Sequence, residues 1–436
     1  MEVLFVNSLA YIIWAWIAYK KNGAVNIYFI MVLMMASIAF LGFLTVFNGV
    51  YYDTFGVENT TRLSYEPYIY CFIVYLLIFY PLKNIKLDSS NNGFLFGNHF
   101  RIFVTGWALF YTFYVCLLFL EFFQSLLGGL GNAYEMRHIE GDTLYSYDSV
   151  FISYIVKGYG YFIYNASSPV ILYYAFFSKT YHKISRSFYM YLVMLCLLPA
   201  ILSGISQGSR GELFAVMLCY AFYASLFWSL FPKSTKRTII KIALFFMGLM
   251  LAFSLIITIQ RVGDKDSGSS ILRYFGEPFP NLGYNMYDKV IMHPMGMRFF
   301  PEVVFGDSFP WVSTDDSYHY WESITGVPVI NFKTFFGDLY IEFGTVLAIL
   351  IPIAMCILMT LIIRKRLNII VLPILYYYIQ ICSQSFAGFN KTGHISFFQL
   401  EIALIFVVCL YVLKKIELSK YGNKKVRRRL YHANRE

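Results

Sequence analysis

The amino-acid sequence predicts an all-α, polytopic transmembrane bundle of about eleven spans with a large external loop of short helices. Three observations predict it. Only 14% of the 436 residues are charged and 58% are hydrophobic, whereas a soluble domain carries about a quarter charged residues. The shortage of charge recurs along the chain as runs of roughly 20 apolar residues, the length a helix needs to cross the hydrocarbon core. Lysine and arginine collect in alternate connections between those runs, which is how a multi-pass protein records its orientation.

The runs fall at about 2–19, 25–50, 66–82, 101–122, 150–177, 188–206, 212–231, 239–260, 338–363, 368–387 and 394–413. The sixth and seventh are divided by the polar break Ser206-Gln207-Gly208-Ser209-Arg210-Gly211-Glu212. Four runs carry an internal proline, Pro169, Pro199, Pro352 and Pro373. Membrane helices tolerate proline when neighbouring helices satisfy the freed carbonyls. The basic connections hold Lys20 and Lys21, then Lys83, Lys86 and Arg101, then Lys179, Lys183 and Arg186, then Lys233, Lys236, Arg237 and Lys241, then Arg364, Lys365 and Arg366. A tail from Lys414 to Arg435 adds nine more. That set is expected to be cytoplasmic, with the N-terminus outside and the C-terminus inside. The chain then divides into a first bundle part at 1–260, an external loop at 261–337, a second bundle part at 338–414 and a basic tail at 415–436.

The composition also excludes. The net charge of +10 does not point to nucleic acid, because it sits in short loops between apolar runs. The seven cysteines all fall inside apolar runs, which argues against a disulfide framework and a cysteine zinc site. Glu2 stands where a leader peptide would be basic, and no small-residue cleavage site follows, so no cleavable leader is expected. The 38 tyrosines and 44 phenylalanines include aromatics of the kind that favour membrane interfaces.

Most acidic residues face outward, so the outer face is chemically mixed while the inner face is basic. The 261–337 loop is too aromatic for a linker, with Phe309-Pro310-Trp311 and Tyr318-His319-Tyr320-Trp321. A segment of this length is usually functional. Ser209-Arg210-Gly211-Glu212 reads as a polar hairpin or an anion site, the glycine letting backbone N–H groups approach and the guanidinium forking onto phosphate. Arg261 ends a helix, and Arg273 follows twelve residues later; each is a snorkelling anchor or part of the same cationic rim. Lys157 and Glu401 lie roughly 10 Å inside their helices, where an ion must be paired or hydrated, so they are expected to pair or to line one cavity open to the outside. Glu302, Asp307, Asp315, Asp316, His319 and Glu322 are solvated polar residues or general bases. Their spacing matches no metal motif.

Ser209-Arg210-Gly211 between two helices resembles the corresponding element of the O-antigen polymerase and ligase superfamily of bacterial membrane glycosyltransferases. So does a large external loop leading into a helix that opens Gly337-Asp338-Leu339-Tyr340-Ile341-Glu342-Phe343-Gly344. In the ligase branch that helix start reads His-Asn ahead of Glu-x-Gly. Here Glu342-x-Gly344 is kept, while Lys333, Thr334 and Asp338 occupy the neighbourhood, which fits the repeat-unit polymerase branch. The resemblance implies a GT-C-like fold and a bacterial inner-membrane location. It implies metal-independent transfer of glycan from a polyprenyl-pyrophosphate-linked oligosaccharide, with no cofactor and with a chain-length regulator as partner. Under it, Arg210, Arg261, Arg273 and Lys333 are expected to hold pyrophosphate, and His319, Asp315 and Asp338 to serve the acceptor. The competing expectations are a ligase moving finished glycan and a lipid-linked glycan flippase, though no internal repeat of the transporter kind is evident.

Overall fold

A computed structural model describes residues 1–55, 62–83, 85, 92–128, 149, 152, 155, 159–206, 221–228, 236–237, 240–241, 244–245, 248, 252, 267–306, 308–310, 314–329, 333–363, 368–386 and 393–433. Among them the chain is all-helical, with no strand. In chain order the helices are α1 (Glu2–Asn22), α2 (Ile27–Phe47), α3 (Val50–Phe55), α4 (Glu66–Phe79), α5 (Asn98–Gly128), α6 (Gly160–Thr180), α7 (Arg186–Ser206), α8 (Ser267–Gly276), α9 (Pro278–Asn281), α10 (Pro301–Phe305), α11 (Thr314–Thr325), α12 (Phe335–Ile363), α13 (Leu372–Phe386) and α14 (Gly393–Ala433). A π-helical turn, Leu282–Met286, continues α9.

Five of these helices, α1, α2, α5, α7 and α12, are long and apolar enough to cross a membrane. The expected seventh run, 212–231, is described only at 221–228, and most of the eighth lies outside the described residues. Large apolar side chains point outward along the long helices, among them Trp16, Ile102, Leu109 and Val346. That is the surface lipid covers at no cost.

The elements pair as α1 with α2, α5 with α7, α4 with α12, α6 with α7 and α13, and α13 with α14, while α8 lies across α2. The α8–α2 crossing is close because both contact residues are glycines. A Cβ at Gly42 would stand 2.8 Å from the carbonyl oxygen of Gly276, and one at Gly276 would stand 2.6 Å from that of Leu41. Thr45 Oγ1 donates to Leu272 O at 3.1 Å across the same crossing.

Eight of the twelve largest fully buried side chains among the described residues are tyrosines, so much of the tyrosine serves the interior as well as interfaces. Several of their hydroxyls find partners there. Tyr111 donates to Gly160 O at 2.9 Å, Tyr164 donates to Cys196 O at 2.6 Å, and Tyr75 accepts from Phe335 N at 3.0 Å. Backbone groups inside the bundle serve as such partners for a buried Tyr hydroxyl.

At the basic end, Glu417 of α14 is buried and accepts from the amide (2.7 Å) and Nδ1 (2.9 Å) of His99. The carboxylate thereby meets the positive N-terminal end of α5.

Candidate functional site

The expected helix start at 338 proves to be two pieces. Gly344 has φ 73° and ψ 176°, so the backbone breaks there between a short helix, 335–343, and the apolar stretch that follows. Glycine is suited to that left-handed conformation. A Cβ on Gly344 would also stand 3.3 Å from Nε2 of His293. The Glu342-x-Gly344 motif is thus the corner at which a short buried helix turns into a long apolar one.

The short helix puts Asp338 and Glu342 on one face, four residues apart. A turn from the 261–337 segment closes over them. Met295 and Gly296 both have positive φ, 56° and 100°, and their amides point at the helix. Met295 N donates to Glu342 O at 2.8 Å, and Gly296 N donates to Glu342 Oε1 at 2.7 Å. Arg298 N donates to the same oxygen at 3.2 Å. The Arg298 side chain then forks, Nε to Glu342 Oε2 at 2.9 Å and Nη2 to Asp338 Oδ1 at 2.7 Å. Arg298 is 2% exposed and Glu342 0%. A non-glycine residue in the left-handed region costs of order 1–3 kcal/mol; at Met295 the bonds to Glu342 offset it.

Lys333, 1% exposed, stands 3.9 Å from Asp338 Oδ1 and donates to Val329 O. Burial, with the Arg298 charge adding to it and Asp338 opposing, pushes its ammonium down to about 7. Arg298 behaves differently. Burial acts against its charge, but Asp338 and Glu342 outweigh that and hold the guanidinium above its usual range. Two acids and two bases therefore nearly cancel in one buried cluster, which is the condition for keeping ions out of water. Beside it, His293 Nδ1 lies 3.0 Å from Ile341 O, and its ring meets Tyr340 edge-on at 5.6 Å. The Tyr340 hydroxyl accepts from Asp288 N at 3.1 Å.

Of the residues expected to form the site, Asp338 and Lys333 are brought together. Arg273 is elsewhere, on α8, half-exposed and 3.4 Å from Glu277. His319 is 73% exposed on α11, with Glu322 at 3.6 Å. Asp315 belongs to α11, but its side chain lies outside the described residues, as do Arg210, Arg261 and Lys157. Glu401 is exposed on α14. Sequence reasoning passed over Arg298 and His293. The available signal was the acid pair at 338 and 342 opening an apolar helix, which demands a buried cation.

The loop around the cluster is apolar outward. Ile291 and Val303 are 81% and 82% exposed, and Met292, Met295, Phe300 and Val304 are exposed with them. Among the described residues no group of three or more His, Cys, Asp or Glu side chains is placed to hold a metal ion. No family model matches the chain, and neither a curated protein nor a solved structure matches it.

Proposed function

We propose that this chain is a membrane glycosyltransferase that polymerises lipid-linked oligosaccharide repeat units for a surface polysaccharide. In this reading it is a GT-C-like bundle of about eleven spans in a bacterial inner membrane, with the N-terminus outside and the C-terminus cytoplasmic. The observation that carries the reading is the buried Arg298–Glu342–Asp338–Lys333 cluster, which locks the external loop onto the Glu342-x-Gly344 helix start.

The acceptor hydroxyl oxygen forms a bond to the donor's anomeric carbon. The bond from that carbon to the pyrophosphate oxygen breaks, and polyprenyl pyrophosphate leaves with the electron pair. The acceptor proton passes to Asp338 or His293. Arg298 is committed to two carboxylates, so its role is to hold the turn and to aim Asp338. Lys333, poised near neutrality, relays a proton to and from Asp338. Arg210 and Arg261 supply the charge that stabilises the departing pyrophosphate.

Asp338→Asn preserves the hydrogen bond to Arg298 while removing the base. It is expected to slow polymer formation from a lipid-pyrophosphate oligosaccharide by at least about 100-fold. Arg210→Ala is expected to leave single repeat units without long chains. Full-length ladders from both variants, sized after reconstitution, would overturn the assignment.

A second reading, a ligase that transfers finished glycan, is favoured by His293. The ligase-type helix start carries a histidine ahead of Glu-x-Gly, and here one reaches the same corner from the loop. Product length separates the two. A flippase remains the reading from another class, and it would move lipid-linked glycan without changing its covalent structure.

A further inference from the structure

Away from the ion cluster, α6, α13 and α14 line a partly open pocket with room inside for about one water-sized group. Three carboxamides line it, Asn165, Gln380 and Gln399, together with the rings of Phe162, Tyr376 and Tyr377. Asn165 and Gln399 are each only 6% exposed. Asn165 Nδ2 and Gln399 Nε2 have no hydrogen-bond partner among the described residues.

The three carboxamides stand at the same end of the bundle. Asn165 and Gln399 follow the starts of α6 (Gly160) and α14 (Gly393), and Gln380 precedes the end of α13 (Phe386). Five to six residues of helix place them about 8–9 Å from those ends. Pro169 lies one turn beyond Asn165 and brings no amide hydrogen, so the Asn165 carbonyl also lacks its intrahelical donor. Donors left without acceptors at this depth are costly, because hydrocarbon offers them nothing. A cavity with two such donors converging from different helices is therefore built for an oxygen ligand.

Among the described residues the lining side chains are all uncharged, so the group they suit is a neutral one. We infer that this cavity is a binding site for an uncharged oxygen acceptor, a carbonyl or hydroxyl group, held by Asn165 and Gln399 against the Tyr376 and Tyr377 rings. Two sources carry that chemistry at a membrane: the ester carbonyl of a glycerolipid and the hydroxyl or acetamido group of a sugar. The inference stands whether or not the chain transfers glycan.

The test uses the purified full chain, delipidated in detergent, with its thermal unfolding midpoint as the readout. The probes are dioleoyl phosphatidylglycerol, its diether analogue, which lacks the ester carbonyls, and methyl N-acetylglucosaminide. The ester lipid or the glycoside is expected to raise the midpoint by several degrees where the diether lipid does not. The effective probe identifies the source. Gln399→Met, which conserves volume, and Asn165→Leu are expected to lose that shift; Gln399→Met alone decides the matter if Asn165→Leu fails to fold. No shift beyond the diether lipid means that the cavity holds water alone and overturns the inference. So does a shift that persists undiminished in the variants.

Discussion

Arg298 illustrates how one side chain can commit a whole segment. Its guanidinium holds two carboxylates at hydrogen-bond distance while its own amide and that of Gly296 bind one of them. Removing one partner of such a buried group strands the others, at a cost of about 3–5 kcal/mol. Arg298→Met is therefore expected to lose that much stability on unfolding in detergent, and Glu342→Met a similar amount. The double variant is expected to cost less than the sum by about 1–3 kcal/mol, and additivity would refute the coupling. Lys333 makes a separate prediction. Its folded-state pKa is lowered from 10.5 to about 7. Between those values the unfolded chain binds a proton that the folded chain does not, so stability rises with pH. The gain is complete above the unfolded value and lost as pH falls through the folded one. The slope from this group is about 1.4 kcal/mol per pH unit. Lys333→Met is expected to flatten the measured midpoint between pH 7 and 10 relative to the wild type, and equal slopes would contradict it.

Among the elements, α2 and α8 show why two glycines far apart in the chain matter together. Gly42 and Gly276 let the helices approach until a Cβ on either would meet backbone oxygen. Backbone cannot step aside as a flexible side chain can. Gly276→Ala is expected to destabilise by about 1–3 kcal/mol through overpacking, read as a lower unfolding midpoint. An unchanged midpoint would mean that the crossing is looser than described. The break at Gly344 acts on α12 in another way. It frees the 335–343 helix to bury Phe336, Ile341 and Glu342, while only 17% of the helix's apolar window is buried. Residues at the corner serve the site, and residues beyond it serve the membrane.

Taken across the protein, the apolar skin of the spans continues onto the loop segment 291–304, fastened to α12 at Glu342. A patch of Ile, Met, Phe and Val this exposed needs cover, and its attachment to a helix long and apolar enough to cross a membrane makes lipid the nearest source. In proteoliposomes, Val303→Cys is expected to react slowly with a charged maleimide, while Ser323→Cys, exposed on the polar helix α11, reacts fast. The wild type serves as the blank for its seven cysteines. Equal rates at the two positions would place the patch in water.

That the chain is helical and carries several membrane-length apolar helices was legible in advance. Span length and the scarcity of charge are properties of consecutive residues, and a helix in lipid satisfies its own backbone, so composition along the chain suffices to find it. The acid pair at 338 and 342 was legible too, as was the unusual loop. What could not be read was which cation answers those acids. Arg298 lies 40 residues before Asp338, and nothing in the intervening chain states that a left-handed turn at Met295 and Gly296 will carry it back to the helix. The direction Glu401 faces was equally hidden. One helical turn holds both Gln399, which enters a cavity, and Glu401, which does not line it, and only packing against α6 and α13 chooses between them. Local hydrophobicity is additive along the chain, whereas burial of charge is settled by which distant groups arrive at the same point in space.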